Sequence, residues 1–272
     1  VLINNHSVPA QHAALPTGAA TATDGIRNLT IDGANTSTGS YSTGGGLSVY
    51  NDMIVTNGSF GLNAASDAIT VRAGLQVNGG AMFNEGTNPT GAHSYGSLVI
   101  GGSGTFRATN GNTTVTGVGV GGGGTLISFA TGCTFTHSSG TIIDTMGGHH
   151  YFNNCVGGTP ISIGSYTLTT GGNYDVYLNA GNQGTDAFPF AGNVLVNSGS
   201  FRGNGSAQSW TVTGTLTLAA SANASASGLA GTSTIGGLTI GTDATYHASS
   251  GLTEITGESG VYAWQNNETD GT

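Results

Sequence analysis

Charge is what this sequence has least of. Only 6% of its 272 residues are charged, and four basic residues stand against thirteen carboxylates, which gives a formal net charge of −9. Lysine does not occur, and the basic residues are Arg27, Arg72, Arg107 and Arg202. Binding to nucleic acid requires a basic surface that neutralises phosphates, so the composition argues against a nucleic-acid partner.

Long apolar runs and helical periodicity are also missing. No stretch of about 18 consecutive apolar residues occurs, so we expect no membrane-spanning helix. No segment shows the 3.6-residue period of a long helix. The first residues, from Val1 to His6, lack the basic start of a signal peptide. The last residues, from Asn266 to Thr272, follow a strand-like segment without a polar cap, so we expect a piece of a longer polypeptide that continues beyond residue 272.

What the sequence does have is a repeated alternation of apolar and polar residues. Between Ser209 and Leu218, apolar side chains alternate with threonines, which predicts a strand with one apolar and one polar face. Gly214 interrupts the alternation, as at a bend between two short strands. Similar units of strand, glycine bend, strand and polar turn recur at intervals of roughly 20–30 residues, a period typical of solenoids.

These repeats predict an all-β fold. The first interpretation is a single-chain, right-handed parallel β-solenoid (β-helix) with loop insertions at 84–94 and 179–190. The alternative is a set of β-sandwich repeats, since sandwich strands are equally short. Residues 1–25, which are rich in Ala and Thr, are expected to be an extended entry segment or linker, and residues 26–272 the solenoid.

The two cysteines, Cys133 and Cys155, are separated by one repeat length. On adjacent coils they would lie one above the other, at a strand spacing compatible with a disulfide. The alternative is a pair of stacked, buried thiols that act as small apolar side chains.

Acidic and histidine residues offer no compact catalytic or metal-binding set. Asp243, Glu254 and Glu258 are the closest grouping of acids, while Asp175 and Asp186 flank the second insertion. Glycoside hydrolysis needs two acids close together, so we predict surface acids, no catalytic residue and no enzyme. His149 and His150 face opposite sides of a strand, and His137 with His150 supplies two ligands where metal sites need three or four. We expect neither a metal nor a cofactor.

Aromatic residues concentrate between positions 151 and 190. Exposed rings there would bind sugars by stacking, and the candidate ligand contacts are Tyr174, Tyr177, Phe188 and Phe190. The alternative is that the rings fill the core where an insertion widens a coil.

Several phrases resemble the repeats of very long β-helical proteins found in virion appendages of tailed phages and in bacterial surface adhesins. They are Leu29-Thr-Ile-Asp-Gly, Trp210-Thr-Val-Thr-Gly-Thr-Leu-Thr-Leu, Gly237-Leu-Thr-Ile-Gly and Cys133-Thr-Phe-Thr-His-Ser-Ser-Gly-Thr. The resemblance covers most of residues 26–264 and carries over no catalytic residue.

This resemblance implies a structural or adhesive virion component, such as a β-helical segment of a phage fibre, appendage or capsid decoration protein. The expected location is the virion surface, and the expected partners are virion or surface proteins that cap the rod, further copies of the chain, and a host-surface glycan. One alternative is a bacterial cell-surface adhesin, located extracellularly or on the cell surface. A second is a polysaccharide-degrading β-helix of the tailspike type, acting as a lyase or glycoside hydrolase.

Overall fold

A computed structural model describes ten stretches of the chain, and all of its regular structure is β-strand. The described residues are 2–4, 26–32, 46–61, 65–83, 89–181, 186–204, 209–225, 231–248, 251–257 and 264–266. No helix occurs among them. The predicted entry segment falls mostly outside these stretches, at residues 5–25, so the domain boundary at residue 25 stays a prediction.

The strands are short and follow one another closely. The first twelve are β1 Leu2–Asn4, β2 Leu29–Asp32, β3 Leu47–Val49, β4 Met53–Asn57, β5 Ser59–Phe60, β6 Ile69–Val77, β7 Met82–Phe83, β8 His93–Ile100, β9 Thr105–Arg107, β10 Thr113–Val115, β11 Thr125–Phe129 and β12 Thr134–Thr136. The others are β13 Thr141–Asp144, β14 His150–Asn154, β15 Ser165–Thr169, β16 Asp175–Ala180, β17 Ala187–Phe190, β18 Val194–Ser198, β19 Ser200–Gly203, β20 Ser209–Leu218, β21 Asn223–Ser225, β22 Ser233–Ile240, β23 Thr245–His247, β24 Thr253–Ile255 and β25 Trp264–Asn266.

The chain divides into two compact units, each built from stacked coils. The first comprises Val1–Val120 with Leu126–Thr141, and the second Gly121–Thr125 with Ile142–Thr272. Strands one coil apart pair in parallel, at steps of 20 residues for His93 and Thr113 and 29 for Leu98 and Ile127. Parallel strands at this period form a β-solenoid, and the predicted fold class is confirmed.

The first unit has three faces. One stacks β3, the first half of β6, the first half of β8, and β10. A second stacks β1, β2, β4, and the second halves of β6 and β8, followed by β11. The third is a separate four-stranded sheet of β5, β7, β9 and β12. Each coil therefore turns three corners before it returns to the face on which it began.

The second unit repeats the three-faced plan. One face stacks β17, the first halves of β20 and β22, and β24. A second stacks β15, β18, the second halves of β20 and β22, and β25. The third stacks β14, β16, β19, β21 and β23.

Two expectations from the sequence need correction. The sandwich alternative is wrong, because sandwich sheets are antiparallel whereas these strands pair in parallel. The insertion predicted at 179–190 is also largely strand: Asn179 and Ala180 complete β16, and Ala187–Phe190 forms β17. Residues 182–185 between them lie outside the described stretches, as do residues 84–88 of the other predicted insertion.

The core of the first unit contains an in-register ladder of phenylalanines. Phe60, Phe83, Phe106 and Phe135 occupy aligned positions on β5, β7, β9 and β12. Successive ring centroids are 5.1, 5.1 and 5.9 Å apart, and the planes of neighbouring rings are inclined by 24°, 10° and 2°. Aligned rings on stacked coils bury large apolar surfaces and also gain offset-stacking energy.

The core of the second unit is filled by larger and less regular aromatic contacts. Phe188 and Phe190 are 0% and 1% exposed, and their centroids lie 5.0 Å apart. Phe188 packs on Phe152 at 4.8 Å, and Phe190 packs on Phe201 at 5.7 Å. These two phenylalanines therefore fill the core, which is the alternative that the sequence left open for them.

The corners between faces require glycine because neighbouring coils approach closely there. A Cβ at Gly96, in the middle of β8, would meet the backbone carbonyl oxygens of Arg72, Ala73 and Val118. Gly214 in β20 has the same role, since a Cβ there would meet Asn193 and the carbonyl of Gly192. The bend that the sequence predicts at Gly214 coincides with a shift in the pairing register of β20 and β22.

Both cysteines are thiols in the structure. Cys133 is 8% exposed and belongs to the first unit, and Cys155 is 1% exposed and belongs to the second. Cys155 lies at a turn after β14 and has a positive φ of 52°, a conformation that non-glycine residues adopt rarely.

Candidate functional site: a polar patch on the second unit

The outer face of β14, β16 and β19 carries polar and aromatic side chains in three aligned columns. Because the strands pair in register, like positions of successive coils lie side by side. The columns are His149, Asp175 and Ser200; Tyr151, Tyr177 and Arg202; and Asn153, Asn179 and Asn204. We call these nine residues the polar patch. At the usual strand spacings the patch covers about 10 Å by about 13 Å.

Asp175 is the centre of the patch. Its Oδ1 accepts a hydrogen bond from Nε of Arg202 at 2.9 Å, and its Oδ2 accepts one from the hydroxyl of Tyr177 at 3.0 Å. The Asp175 side chain is 12% exposed, while that of Arg202 is 43% exposed. Nε of Arg202 also lies 3.1 Å from Oγ of Ser200. The carboxylate thus fixes the orientation of the guanidinium and of the tyrosine hydroxyl.

His149 sits at the exposed side of Asp175. Its Nδ1 lies 3.0 Å from the backbone nitrogen of Asp175 and 3.3 Å from Oδ2 of the same residue. A neutral ring accepts the N–H at Nδ1, whereas a protonated ring donates from Nδ1 to the carboxylate. The backbone N–H of Asp175 is the nearer partner and can only donate, so Nδ1 of His149 is the acceptor of this hydrogen bond.

Three tyrosines surround this hydrogen-bonded group. The rings of Tyr151 and Tyr177 lie 5.3 Å apart on neighbouring strands, and that of Tyr174 meets the ring of His149 edge-on at 5.6 Å. Desolvation, together with the hydrogen bond to Asp175, raises the pKa of Tyr177 above its ordinary value. Tyr177 therefore remains a neutral donor throughout the physiological pH range.

An asparagine ladder closes one side of the patch. Nδ2 of Asn179 donates to Oδ1 of Asn153, and Nδ2 of Asn204 donates to Oδ1 of Asn179, both at 2.7 Å. Nδ2 of Asn153 in turn lies 3.3 Å from Oγ1 of Thr125. Repeated hydrogen bonds between the amide groups of identical side chains stabilise stacked parallel strands and hold the face flat.

A charged cluster lies in the core of the same unit. Oδ2 of Asp144 accepts hydrogen bonds from Nε2 of His150 and from the hydroxyl of Tyr166, each at 2.6 Å. Nδ1 of His150 lies 2.8 Å from the carbonyl of Gly148, which can only accept, so both ring nitrogens donate and the ring is an imidazolium. Burial alone lowers the pKa of His150, but the hydrogen bond and charge of Asp144 outweigh it, and the pKa lies above its usual value.

The residues that the sequence analysis singled out fall in both units. Tyr177 belongs to the patch and Tyr174 lies at its edge, so their proposed ligand contact stays a prediction. His149 and His150 do face opposite sides, one exposed and the other in the core. His137 lies in the first unit, in a shallow groove of about 290 Å³ lined also by Arg107, Asn110 and Ser138. Asp243 and Glu254 are in the second unit, and Glu258 lies outside the described residues.

Sequence reasoning missed Arg202, Asp175 and the asparagines as members of one site. The signal was present as a short repeat, Tyr151-Phe-Asn and Tyr177-Leu-Asn, spaced by one coil. Arg202 is harder to find, because it replaces the tyrosine of the next coil instead of repeating it.

This arrangement suits binding better than acid–base chemistry. Glycoside hydrolysis places two carboxyl groups on either side of the scissile bond, whereas the polar patch contains one carboxylate, already bonded to Arg202 and Tyr177. The described residues contain no group of three or more His, Cys, Asp or Glu that could hold a metal ion. In that same part of the chain there is no helix with the length and apolar character to cross a membrane.

No protein-family model, no curated protein and no solved structure matches this chain.

Proposed function

We propose that this protein is a structural and adhesive component: a β-helical segment of a phage fibre, appendage or capsid decoration protein. It holds a glycan-binding face in a fixed position at the virion surface. The β-solenoid fold is consistent with fibre, adhesin and tailspike-like proteins. The proposed function is more specific than the fold alone supports, and it rests on the surface chemistry of the second unit.

The observation that carries the proposal is the polar patch itself. Its columns are set by the pairing register of β14, β16 and β19, so the side chains keep their spacing without support from a mobile loop. Tyrosine rings beside amide, carboxylate and guanidinium groups match the apolar and hydroxyl surfaces of a sugar. Sites that are already organised lose less conformational entropy when they bind.

The low charge of the chain supports an extracellular setting. The polar residues of the sequence are mostly neutral Ser, Thr and Asn, and 6% charged residues is far below the usual value of about 25%. We expect the neighbours of this segment to be other virion proteins that cover its ends, and further copies of the chain. A bacterial surface adhesin with the same fold is the second candidate.

The third hypothesis is enzymatic activity on a polysaccharide. The patch offers one carboxylate, and Asp144, the carboxylate in the core beneath it, is fully buried in a pair with His150. A reaction at the patch would therefore lack the second acid of a glycosidase.

Mass spectrometry of the native material tests the proposed location. The virion proposal predicts that the chain co-purifies with capsid or tail proteins through density-gradient centrifugation. Recovery with outer-membrane or cell-wall proteins would favour the bacterial adhesin instead. Recovery in the soluble intracellular fraction, away from any particle or envelope, would remove both.

A further inference from the structure

Arg202 has hydrogen-bond donors that none of the described residues uses. Its Nε is directed to Asp175 and Ser200, which leaves the donors on its two terminal nitrogens. Within the described stretches these terminal nitrogens have no hydrogen-bond partner, and the side chain is 43% exposed. The guanidinium is therefore anchored on one edge and open on the other.

An anchored guanidinium is a specific receptor for a planar anion. Its two terminal nitrogens can donate in parallel to both oxygens of a carboxylate, a geometry that lysine cannot reproduce. The contact with Asp175 orients this fork before any ligand arrives, so less entropy is lost on binding. The nearby Asp175 carboxylate also disfavours a doubly charged phosphate more than a singly charged carboxylate.

The neighbours of Arg202 define what should accompany the anion. Tyr177 lies beside it on the adjacent strand, and Tyr151 lies one coil further in the same column. Tyrosine rings pack against the C–H surface of a sugar ring, and tyrosine hydroxyl oxygens can accept hydrogen bonds from sugar hydroxyls. A carboxylate attached to a sugar ring satisfies both requirements together.

We infer that the polar patch binds a glycan segment containing a uronic acid, with the sugar carboxylate on Arg202 and its ring against Tyr177. The inference rests on the proposed glycan contact and names the class of sugar. The size of the polar patch also fits this ligand, because an area of about 10 Å by about 13 Å accommodates a short oligosaccharide better than a single sugar.

Isothermal titration calorimetry with matched ligands tests this inference. The probes are uronate-containing oligosaccharides, the same oligosaccharides after reduction of their carboxyl groups to hydroxymethyl groups, and a sulfated oligosaccharide without uronate. We expect carboxyl reduction to weaken binding by about tenfold, the scale of one charge-assisted pair. The sulfated probe should bind more weakly than the uronate probe.

Two variants assign the effect to Arg202. Arg202→Gln should abolish the preference for the acidic form, and Arg202→Lys should keep part of it, because the charge remains without the fork. Arg72→Gln is the matched control: Arg72 also lies over a tyrosine, 4.5 Å from the ring of Tyr50, but it belongs to the first unit. This control should retain the full preference, and circular dichroism should show the same fold for all three variants.

The outcomes separate the inference from the proposed function. Equal binding of acidic and reduced oligosaccharides, or equal binding of the sulfated probe, would overturn the uronate assignment while leaving glycan adhesion in place. A preference that survives Arg202→Gln would likewise overturn it. Binding of other glycans but of none of these probes would overturn the uronate assignment alone, and binding of no glycan would overturn the proposed adhesive role as well.

Discussion

The core of the second unit contains a buried pair of charged side chains, which the repeat pattern of the sequence does not reveal. Asp144 and His150 form an ion pair with no exposed surface, and Tyr166 completes the set of donors to Asp144. Buried pairs contribute little net stability when intact, but removing one partner leaves the other charge uncompensated. The cluster therefore matters mainly as a constraint on what can replace its members.

The substitution Asp144→Asn tests this constraint. We expect it to lower the free energy of unfolding by about 3–5 kcal/mol, because His150 loses its counter-charge inside the core. Since the folded-state pKa of His150 lies above its ordinary value of 6.5, the stabilisation is present below that pH and is lost as pH rises through the folded pKa. Urea unfolding at several pH values should show the cost shrinking as pH rises.

Asp52→Asn is the control for that experiment. Asp52 accepts a hydrogen bond from the backbone N–H of Gly74 at 2.9 Å on an exposed surface, and asparagine keeps an acceptor oxygen. Its cost should stay within about 1 kcal/mol. Equal costs for the two substitutions would contradict the importance of the buried pair.

A second buried histidine gives the opposite pH dependence. His93 lies in the core of the first unit, where its Nδ1 forms a hydrogen bond with the hydroxyl of Tyr95 at 3.0 Å, and burial lowers its pKa from 6.5 to about 4. Its contribution is complete above pH 6.5 and is lost as pH falls towards 4, by about 3 kcal/mol in total. In His93→Gln, which stays neutral, stability should fall less steeply over this interval. If the free energy of unfolding depends on pH equally in both proteins, the pKa of His93 is the same in the folded and unfolded states, which contradicts the prediction.

At the scale of the element, the corners decide which residues a strand can contain. Gly96 faces three carbonyl oxygens of neighbouring coils, whereas a Cβ at Gly121 would have nothing within 4 Å. We expect Gly96→Ala to cost at least about 2 kcal/mol, because backbone on two sides would have to move. Gly121→Ala should be neutral or slightly stabilising. Thermal unfolding of both variants checks the contrast, and similar melting temperatures would refute it.

The phenylalanine ladder allows a second test of an element. Phe83 is fully buried and stacks on Phe60 and Phe106 with both centroid distances at 5.1 Å. Phe83→Ala should cost about 3–5 kcal/mol, since it opens a cavity between two rings. Phe83→Leu keeps most of the volume and should cost about 1.5 kcal/mol or less. A leucine variant as unstable as the alanine variant would mean that volume does not set the cost.

The alternation of apolar and polar residues predicted the strands well, but it did not predict which side chains contact one another across strands. The alternation around Gly214 predicted β20 together with its bend, because a pleated strand imposes a period of two. The partner of Asp175 could not be predicted in the same way. Arg202 lies in register with Tyr177, and its contact with Asp175 reaches across a column, so its position depends on side-chain conformation.

At the scale of the whole molecule, the repeat length and the recurring glycine bends predicted stacked coils. What they could not give was the side-chain chemistry of each unit. The first unit aligns phenylalanines in its core, and the second aligns polar groups on its outer face. Coil lengths that vary from 20 to 29 residues hide such alignments, because equivalent positions do not recur at one fixed spacing.

The central claim is that this solenoid binds a glycan through the polar patch, and a glycan array tests it most directly. Wild-type protein and the variant Tyr174→Ala/Tyr177→Ala would be compared at equal concentration, with Tyr50→Ala as a control outside the patch. The account predicts selective binding of a small set of glycans by the wild type and the control, and loss of at least about 1 kcal/mol in affinity for the double variant. Glycan binding that is unchanged in the double variant, or absent in all three proteins, would contradict the claim.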